Sequence, residues 1–318
     1  MAAVLCVGNL QCDVLCRSLT ELPVRGELRM IESIDVALSG NGGSVAAALG
    51  RLGLSVDLAA YSGADLVGEQ FRALLAEIGV GVGALRRHPA LGTGTSVIAL
   101  APDGERSVLF VNGANDAFDL DGVPDAWLDG VRVVSLSSVF VLPQFTGGAI
   151  GRLFARARSR GARTVLNTSW DREGRGLPFL APALAETDYL VLSLDEGRQL
   201  TGRAEPDAIV RRLEQEVRGT IVLTLGADGA LVRGERGQQD LRWVPAVSVT
   251  ATDCTGAGDA FVAGLVAGLV EGRVVEGHVV EECARLGCLV ASFAVTGPGA
   301  YPRIPRLAEI EQLPTGMS

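Results

Sequence analysis

Short apolar runs alternate with longer amphipathic stretches from Val131 towards the C-terminal part of the chain. The apolar runs have the length of buried strands, and the stretches between them repeat their apolar residues with the period of a helix. The predicted strands are 132–136, 163–167, 188–192, 220–225 and 229–233, and the predicted helices are 146–160, 195–201, 206–217, 257–271 and about 279–294. This alternation predicts βαβ units, and therefore an α/β domain with a mostly parallel sheet and helices on both faces.

The N-terminal part combines a buried strand with strands of another kind. Residues 4–7 are wholly apolar, whereas residues 28–38, 93–100 and 106–111 alternate apolar and polar side chains, as strands exposed on one face do. Pro102, Asp103 and Gly104 predict a hairpin turn between the last two. We interpret these strands as a small second sheet that covers the main domain like a lid. The expected organisation is one domain over 1–318, with lid strands inserted at about 14–38 and 92–113.

Composition narrows the possible partners. The formal charge of −9 argues against nucleic acid or an anionic membrane as a partner. All 28 basic residues are arginine, so a P-loop, which needs a lysine, is excluded. The six cysteines show no C-x-x-C spacing and predict neither a zinc site nor a disulfide framework. The N-terminus has no basic segment and Asp13 interrupts its apolar run, so a signal peptide is not expected. No apolar stretch is long enough to span a membrane, and we expect a soluble cytoplasmic protein.

The stretch from Thr252 to Leu269 carries the clearest candidate chemistry. A small-residue turn, Gly256-Ala257-Gly258, precedes Asp259 and a run of apolar residues that predicts a buried helix. Amides at the start of a helix bind anions, and glycine lets a ligand approach the backbone closely. A carboxylate beside such an anion hole suits group transfer, because it accepts a hydroxyl proton while the amides stabilise transition-state charge. The alternative is an ordinary helix start with an acidic residue in its first turn.

Other catalytic arrangements have less support in the sequence. Only two histidines occur, His88 and His278, and each falls at a predicted loop or helix edge, so a histidine base is not expected. The Gly-rich turn over 39–44 lacks the third glycine of a dinucleotide-binding fingerprint. The base is therefore expected to be a carboxylate.

Several motifs, in order along nearly the whole chain, resemble the ribokinase-like (PfkB-type) carbohydrate kinases. They are GNLQCD, SGNGGSVAAALGRLG, SGADLVG, GERSVLFVNGAN, VLTLGADGALV, DCTGAGDAFVAG and AVTGPGAYPRIP. DCTGAGD, which is close to the D-T-x-G-A-G-D motif of that family, is the most specific of them. The resemblance implies a Rossmann-like three-layer α/β sandwich with a central, mostly parallel sheet and a small β-sheet lid. It also implies transfer of the ATP γ-phosphoryl group to a hydroxyl of a small neutral sugar or nucleoside, with Mg²⁺.

The resemblance assigns roles to individual residues. Asp259 resembles the general base, and Gly256, Ala257 and Gly258 the anion hole. The residues implied for the substrate are Gln11, Asp13, Gly40, Asn41 and Ser44, and those implied for the nucleotide are Ser193, Glu196, Thr224 and Gly226. No direct protein ligand of a metal is assigned. Three of these positions depart from the family pattern, since Gln11, Ser44 and Ser193 stand where asparagine is usual. From the local sequence alone, the favoured interpretation of Glu196 is a solvated acid at a helix start.

Other activities on the same scaffold stay open. They are a kinase for a phosphorylated sugar or a small heterocyclic alcohol, and a catalytically weak sugar-binding or regulatory protein. The half-polar lid strands predict a homodimer in which two lids bury their apolar faces. The resemblance also implies a potassium site near Asp253 and residues 299–303. There Arg303, which offers only donors and a positive charge, makes potassium binding doubtful unless its side chain points to solvent.

Overall fold

The structure is a computed structural model. It describes residues 2–19, 21–101, 105–234, 241–272 and 279–312. The strands are β1 Val4–Val7, β2 Gln11–Arg17, β3 Ser33–Ser39, β4 Val56–Gly63, β5 Val80–Gly81, β6 Leu85–His88, β7 Gly94–Leu100, β8 Arg106–Val111, β9 Val133–Ser137, β10 Arg163–Asn167, β11 Tyr189–Ser193, β12 Thr220–Thr224, β13 Ala230–Arg233 and β14 Leu241–Val244. The helices are α1 Asn41–Leu52, α2 Leu66–Glu77, α3 Gly147–Ser159, α4 Gly176–Leu184, α5 Leu194–Thr201, α6 Pro206–Leu213, α7 Ala257–Glu271, α8 Val279–Ala294 and α9 Leu307–Ile310.

The main sheet has the order β14-β13-β12-β11-β10-β9-β1-β4-β5, with β6 also paired to β4. Neighbours from β12 through β1 and β4 to β5 and β6 are parallel, whereas β13 and β14 are antiparallel at one edge. The mostly parallel α/β sheet predicted from the apolar runs is therefore confirmed. Because parallel strands end at the same edge of a sheet, the loops after β1, β9, β10, β11 and β12 meet there.

Helices cover both faces of this sheet, as the alternating pattern predicts. Along β1, Val4 and Cys6 pack into a core shared with α1, α2, α7 and α8, while Leu5 and Val7 pack into a core shared with α3, α4, α5 and α6. Successive side chains of a strand point to opposite faces, so one fully apolar strand can serve both cores. The result is a three-layer sandwich. Within the described residues, no helix combines the length and apolar character needed to cross a bilayer.

A separate small sheet has the order β3-β2-β7-β8. Its β7 and β8 form the predicted antiparallel pair, and the turn at Pro102-Asp103-Gly104 lies outside the described residues. The strand expected over 28–38 begins only at Ser33. The sequence did not predict β2 as a strand from its first residue, because Gln11 and Asp13 are polar and the run after them is short. In the structure β2 lies at the centre of the small sheet, between β3 and β7.

Helix α7 lies against α1 and α8 and is the most deeply buried helix of the described chain. Every residue from Asp259 to Val270 is buried. Gly264 and Gly268 allow this close contact, because a Cβ on either would stand 2.6 Å from Leu286 O or 2.9 Å from Cys283 Sγ in α8. The predicted boundaries of α7 and α8 agree with the structure. Helix α4 was not predicted, since its short apolar segment contains Pro182 and has no helical period.

Candidate active site

A cavity of about 160 Å³ opens at the carboxyl edge of the main sheet. Its walls come from the ends of β10, β11 and β12 and from the starts of α1, α5 and α7. The residues lining it are Asn41, Asn167, Thr168, Val191, Leu192, Ser193, Glu196, Thr224, Cys254, Gly256, Ala257, Gly258 and Asp259. The structure thus brings together the predicted base, the predicted anion hole, Asn41 and most of the predicted nucleotide-side residues. Residues separated by more than 200 positions meet there because each follows a strand or opens a helix at this edge.

Asp259 stands in the first turn of α7 and is 7% exposed. Its Oδ1 accepts a hydrogen bond of 2.8 Å from Asn41 Nδ2. Burial raises the pKa of Asp259 from 3.8 to about 7, and the nearby charge of Glu196 adds to the rise, while hydrogen bonds from Asn41 and Ser44 oppose it. A carboxyl group with a pKa near neutrality can both take and release a proton at working pH, which suits a general base.

The turn before Asp259 has the geometry of an anion-binding helix start. Gly256 precedes the helix with φ of 76°, and a Cβ there would stand 2.1 Å from the Cβ of Ala300. Beside Gly258, by contrast, no atom other than those of its chain neighbours and of its own helix backbone lies within 4 Å of the position that a Cβ would take. The Gly258 amide has no acceptor within the helix, whereas the Ala257 amide donates to Cys254 O at 3.2 Å. The open space beside Gly258 and the positive end of α7 therefore suit a phosphoryl group.

Glu196 forms part of the opposite wall. Its Oε2 accepts from Thr168 Oγ1 at 3.0 Å and from the Ser193 amide at 2.9 Å, and the Ser193 hydroxyl caps α5 in return. The acid is thus a helix-start residue, half-buried and held in the cavity wall by a capping box. Among the residues that the structure describes, no group of three metal-ligating side chains occurs. Mg²⁺ commonly keeps several waters and binds one or two carboxylates plus substrate phosphates, so a site with Glu196 as its carboxylate fits that ion.

A second cavity, of about 350 Å³, adjoins the first and shares Thr224, Cys254, Ala257 and Gly258 with it. Most of its other lining is small or apolar: Gly226, Ala227, Gly229, Ala246, Val247, Ser248, Val249, Ala251, Phe261, Cys288, Ala291, Ser292 and Val295. An apolar cavity next to a helix start of this kind can take a nucleotide, with the base in the cavity and the phosphates at the turn. Thr224 and Gly226, which the resemblance implies for the nucleotide, line this second cavity.

The predicted substrate residues lie on the inner face of the small sheet and at the start of α1. Burial raises the pKa of Asp13 above its ordinary value, while hydrogen bonds with Ser39 and Ser96 and the charge of Arg106 oppose the rise. Gly40 precedes α1 with φ of 81°, and a Cβ there would collide with the backbone of Asn9 and Gln11 at 2.8 Å. Asp13 is only half-buried, so its carboxylate can accept hydrogen bonds from the hydroxyls of a ligand.

Gln11 differs from the other predicted substrate residues, because its side-chain amide is already engaged. Its Nε2 donates to Ser96 Oγ at 3.3 Å and to Val111 O at 3.2 Å, and its Oε1 accepts from Asn115 Nδ2 at 3.2 Å. The residue is 3% exposed. In this structure Gln11 ties the small sheet to the turn that contains Asn115, and it lies outside the cavity. Ser44 is also buried, at 2% exposure, beside Asp259.

Sequence reasoning missed two features near the site. Arg172, in the loop after β10, lies over the Phe110 ring at 5.6 Å, and Phe110 is opposite Ser96 on the inner face of the small sheet. Ser138, directly after β9, donates a hydrogen bond to Asn41 Oδ1. A polar residue after a predicted strand was the available signal for Ser138, but contacts across more than 90 residues leave no local pattern.

The two residues considered for a potassium site do not pair with each other. The Asp253 carboxylate accepts from the Thr255 amide at 2.9 Å, and the exposed side chain of Arg303 lies against Gly297, where a Cβ would stand 2.1 Å from its Nε. No ion pair of 4.0 Å or less joins these two described residues. The exposed side chain of Arg303 is the case in which the sequence leaves potassium binding open, and independence of potassium stays a prediction. His88 lies away from the cavity, and its Nδ1 accepts from the Ala90 and Leu91 amides.

Comparison with known proteins agrees with this architecture. The family described as pfkB family carbohydrate kinase matches residues 1–307. A ribokinase of Arabidopsis thaliana is 27% identical over 315 residues, which cover 94% of this chain and 77% of that protein. A fructokinase of Escherichia coli is 28% identical over 277 residues, covering 84% of this chain and 89% of that protein. The structure of the Arabidopsis thaliana ribokinase complexed with ribose and ATP has the same fold, with a TM-score of 0.83, 22% identity, and 98% of each chain covered.

Proposed function

The chain belongs to the pfkB family of carbohydrate kinases, and on that premise we propose that it moves the γ-phosphoryl group of ATP to a hydroxyl of a small neutral sugar or nucleoside. The observation that carries this proposal is the position of Asp259. It is a buried carboxyl group of pKa about 7, at an amide-lined helix start where two cavities meet. Members of the family act on sugars, and the finer features below support the choice of donor and acceptor.

The residues divide the chemistry between them. Asp259 takes the proton of the acceptor hydroxyl as that oxygen forms its bond to the γ-phosphorus, and ADP leaves with the bridging oxygen. The amides at the start of α7 bind the moving phosphoryl group and stabilise its charge. Glu196 is the carboxylate that would help to hold Mg²⁺ together with the triphosphate, and that ion would neutralise phosphate charge. Asn41 holds Asp259 in place through a hydrogen bond. The Asp13 carboxylate accepts hydrogen bonds from hydroxyl groups of the sugar or nucleoside.

The proposal is tested by measuring ADP formation from ATP and Mg²⁺ across pentoses, hexoses and nucleosides, with the phosphorylated product identified by mass spectrometry. The expected result is stoichiometric phosphorylation of one class of neutral acceptor. Binding of a sugar without turnover would favour the sugar-binding or regulatory alternative instead. An absence of both sugar binding and ADP formation would contradict the proposal.

A kinase for a phosphorylated sugar is the second candidate, because two arginines lie near the inner face of the small sheet. Arg106 acts electrostatically on Asp13, and Arg172 lies over Phe110. Neither arginine forms an ion pair of 4.0 Å or less with a carboxylate of the described residues. A phosphate carried on the acceptor would find positive charge there. The half-buried Asp13 carboxylate argues the other way, since it would repel that phosphate at close range.

We therefore predict that neutral sugars or nucleosides are turned over with a kcat/KM at least about tenfold above that of their phosphates, the scale of one charge repulsion of about 1.4 kcal/mol. Steady-state kinetics at saturating ATP measures the ratio. Asp13→Asn should raise the KM of the neutral substrate, because the carboxylate that accepts hydrogen bonds from its hydroxyls is lost. It should also bring the two kcat/KM values closer together, because the carboxylate no longer repels a substrate phosphate. A preference for the phosphorylated acceptor in the unmodified protein would establish the second candidate.

The small sheet supports the proposal of a homodimer. Ile34, Val36, Leu109 and Val111 share its outer face and are 59 to 63% exposed. Apolar faces of this kind are normally covered, and a second copy of the same sheet would cover them. We predict a dimer at micromolar concentration, and we expect Val36→Glu to give a monomer. Sedimentation velocity measures the change. The control that stays dimeric is Leu66→Glu, at a leucine of α2 that is 83% exposed. A monomeric unmodified protein would contradict the prediction.

A further inference from the structure

Ser138 has an unusual backbone for its residue type. It follows Ser137 at the end of β9 with φ of 62°, in the left-handed region, and its side chain is 0% exposed. A serine in this conformation is strained, whereas a glycine takes it freely. Among the described residues only Ser18, which is exposed, shares this feature outside the glycines. A strained residue persists where its surroundings fix it, and such residues concentrate at functional sites.

The hydroxyl of Ser138 supplies what a glycine could not. It donates a hydrogen bond to Asn41 Oδ1. A side-chain amide has its oxygen on one side and its N–H donors on the other, so fixing Oδ1 against Ser138 turns Nδ2 in the opposite direction. There Nδ2 meets Asp259 Oδ1 at 2.8 Å. In the reversed orientation, Asn41 Oδ1 would face the carboxylate oxygen, and the two acceptors would repel each other.

The three side chains form a chain of hydrogen bonds that starts behind the site and ends on the base. Asn41 reaches it from the first turn of α1, and Asp259 from the first turn of α7, but neither turn fixes which way the amide points. Ser138 fixes the orientation of the Asn41 amide, because its hydroxyl donates to Asn41 Oδ1 from the end of β9. We propose that Ser138 is a positioning residue, whose left-handed backbone aims its hydroxyl at Asn41 and so directs an N–H of Asn41 at Asp259.

The consequence for catalysis rests on the proposed function. An N–H donor stabilises the ionised form of Asp259, which is the form that accepts a proton. The titratable groups that line the cavity with Asp259 are Glu196 of α5 and Cys254 of the turn before α7, and the charge of Glu196 favours the protonated form. Without the Ser138 hydroxyl, Asn41 is free to rotate, Asp259 loses its oriented donor, and more of it is protonated at neutral pH.

Two substitutions test this role. Ser138→Ala removes the hydroxyl and keeps the strained backbone, and Ser138→Gly removes both. We expect each to lower kcat at pH 7 about tenfold, the scale of one hydrogen bond to a charged group. The loss of kcat should shrink at higher pH, because the acidic limb of the pH–rate profile shifts to higher pH when the pKa of the base rises. The KM for ATP should stay within about twofold. Ser138→Gly should unfold at a higher temperature than Ser138→Ala, since it relieves the backbone.

The matched control is Ser135→Ala. Ser135 lies on the same strand, is 1% exposed, and has no hydrogen-bond partner for its hydroxyl within the described structure. Its substitution should leave kcat and the pH–rate profile unchanged. Unaltered kcat and an unaltered acidic limb in both folded Ser138 variants would overturn the proposal. If Ser138→Ala does not fold, Ser138→Gly alone carries the test.

A direct titration separates this proposal from the proposed function. In protein labelled at the aspartate carboxyl carbon, the ¹³C resonance absent from Asp259→Asn identifies Asp259, and its shift with pH gives the midpoint without any substrate. We expect a midpoint near 7 in the unmodified protein and a higher one in both Ser138 variants. An unmodified protein with no kinase activity would refute the proposed function, while the raised midpoint would still support the role of Ser138. Equal midpoints in all proteins would refute that role, whatever the activity.

Discussion

Asp259→Asn should lower kcat by about 10² or more, the usual effect of removing a general base. The amide has the same shape as the carboxylate, and it stands in the first turn of α7, where an uncharged side chain is tolerated. The fold and ATP binding should therefore persist. Asp195→Asn is the matched control, because Asp195 is also a first-turn acid, on α5, but its side chain is 77% exposed. That control should keep full activity, and an Asp259→Asn enzyme with most of its kcat would remove this residue from the mechanism.

The same substitution should change how stability depends on pH. Because the folded pKa of Asp259 is about 7 and the ordinary value is 3.8, the folded protein keeps a proton that the unfolded chain releases between about pH 4 and 7. The unfolded state then binds fewer protons, so this group makes the free energy of unfolding fall as pH rises through that window. The fall amounts to at most about 4 kcal/mol over the window.

Asparagine does not titrate, so the free energy of unfolding of Asp259→Asn should not fall in this way as the pH rises. At pH 8 the variant should therefore be more stable than the unmodified protein. Urea denaturation of both proteins at pH 5, 6, 7 and 8 measures the difference in unfolding free energy. The gap should open with rising pH. A constant gap would show that Asp259 titrates normally in the folded protein, and the case for it as a base of raised pKa would fail.

The sequence predicted the parts of this molecule that local physics determines. The boundaries of α7 follow from an unbroken apolar run between Asp259 and Glu271, and those of α8 from apolar residues that recur with the period of a helix. The strand-helix alternation fixed the parallel sheet, because chain connections of that length pack in one way. The cavity residues were found through a motif, and parallel topology then explains why residues as distant as Asn41, Glu196 and Asp259 meet.

What could not be predicted depends on contacts between distant residues. Gln11 is two residues before Asp13 in the sequence. Its side-chain amide nevertheless forms its hydrogen bonds with Ser96, Val111 and Asn115, which come near only in the folded protein. The left-handed backbone of Ser138 has no local signal either, since serine is compatible with a strand end, a turn or a helix cap. The raised pKa of Asp259 depends on its burial and on the nearby Asn41, Ser44 and Glu196, which no pattern within its own segment reveals.

Alanine at the two glycines of the anion-binding turn should have opposite effects on stability, although both substitutions should lower activity. Gly256→Ala places a Cβ 2.1 Å from the Cβ of Ala300 and holds an alanine at φ of 76°. We expect it to destabilise the protein by at least about 2 kcal/mol, from strain and overpacking together. Because the turn must shift to make room, kcat should also fall by about 10². Gly256→Ala combined with Ala300→Gly should recover part of the stability, since the 2.1 Å contact is removed, whereas the contact of 2.7 Å with Ala300 Cα and the backbone strain remain.

Gly258→Ala should keep the fold and still damage the enzyme. Apart from its chain neighbours and the backbone of its own helix, no heavy atom lies within 4 Å of the added methyl group. Alanine favours a helix over glycine by about 1 kcal/mol, so the melting temperature should hold or rise. The methyl group, however, enters the open space at the start of α7, where both cavities meet and the phosphoryl group is proposed to bind. The KM for ATP should rise at least about tenfold, as a close approach of phosphate to backbone is lost. Calorimetric titration with ATP and steady-state kinetics measure the two effects, and a stable Gly258→Ala enzyme with unchanged ATP affinity and kcat would show that the phosphates bind elsewhere.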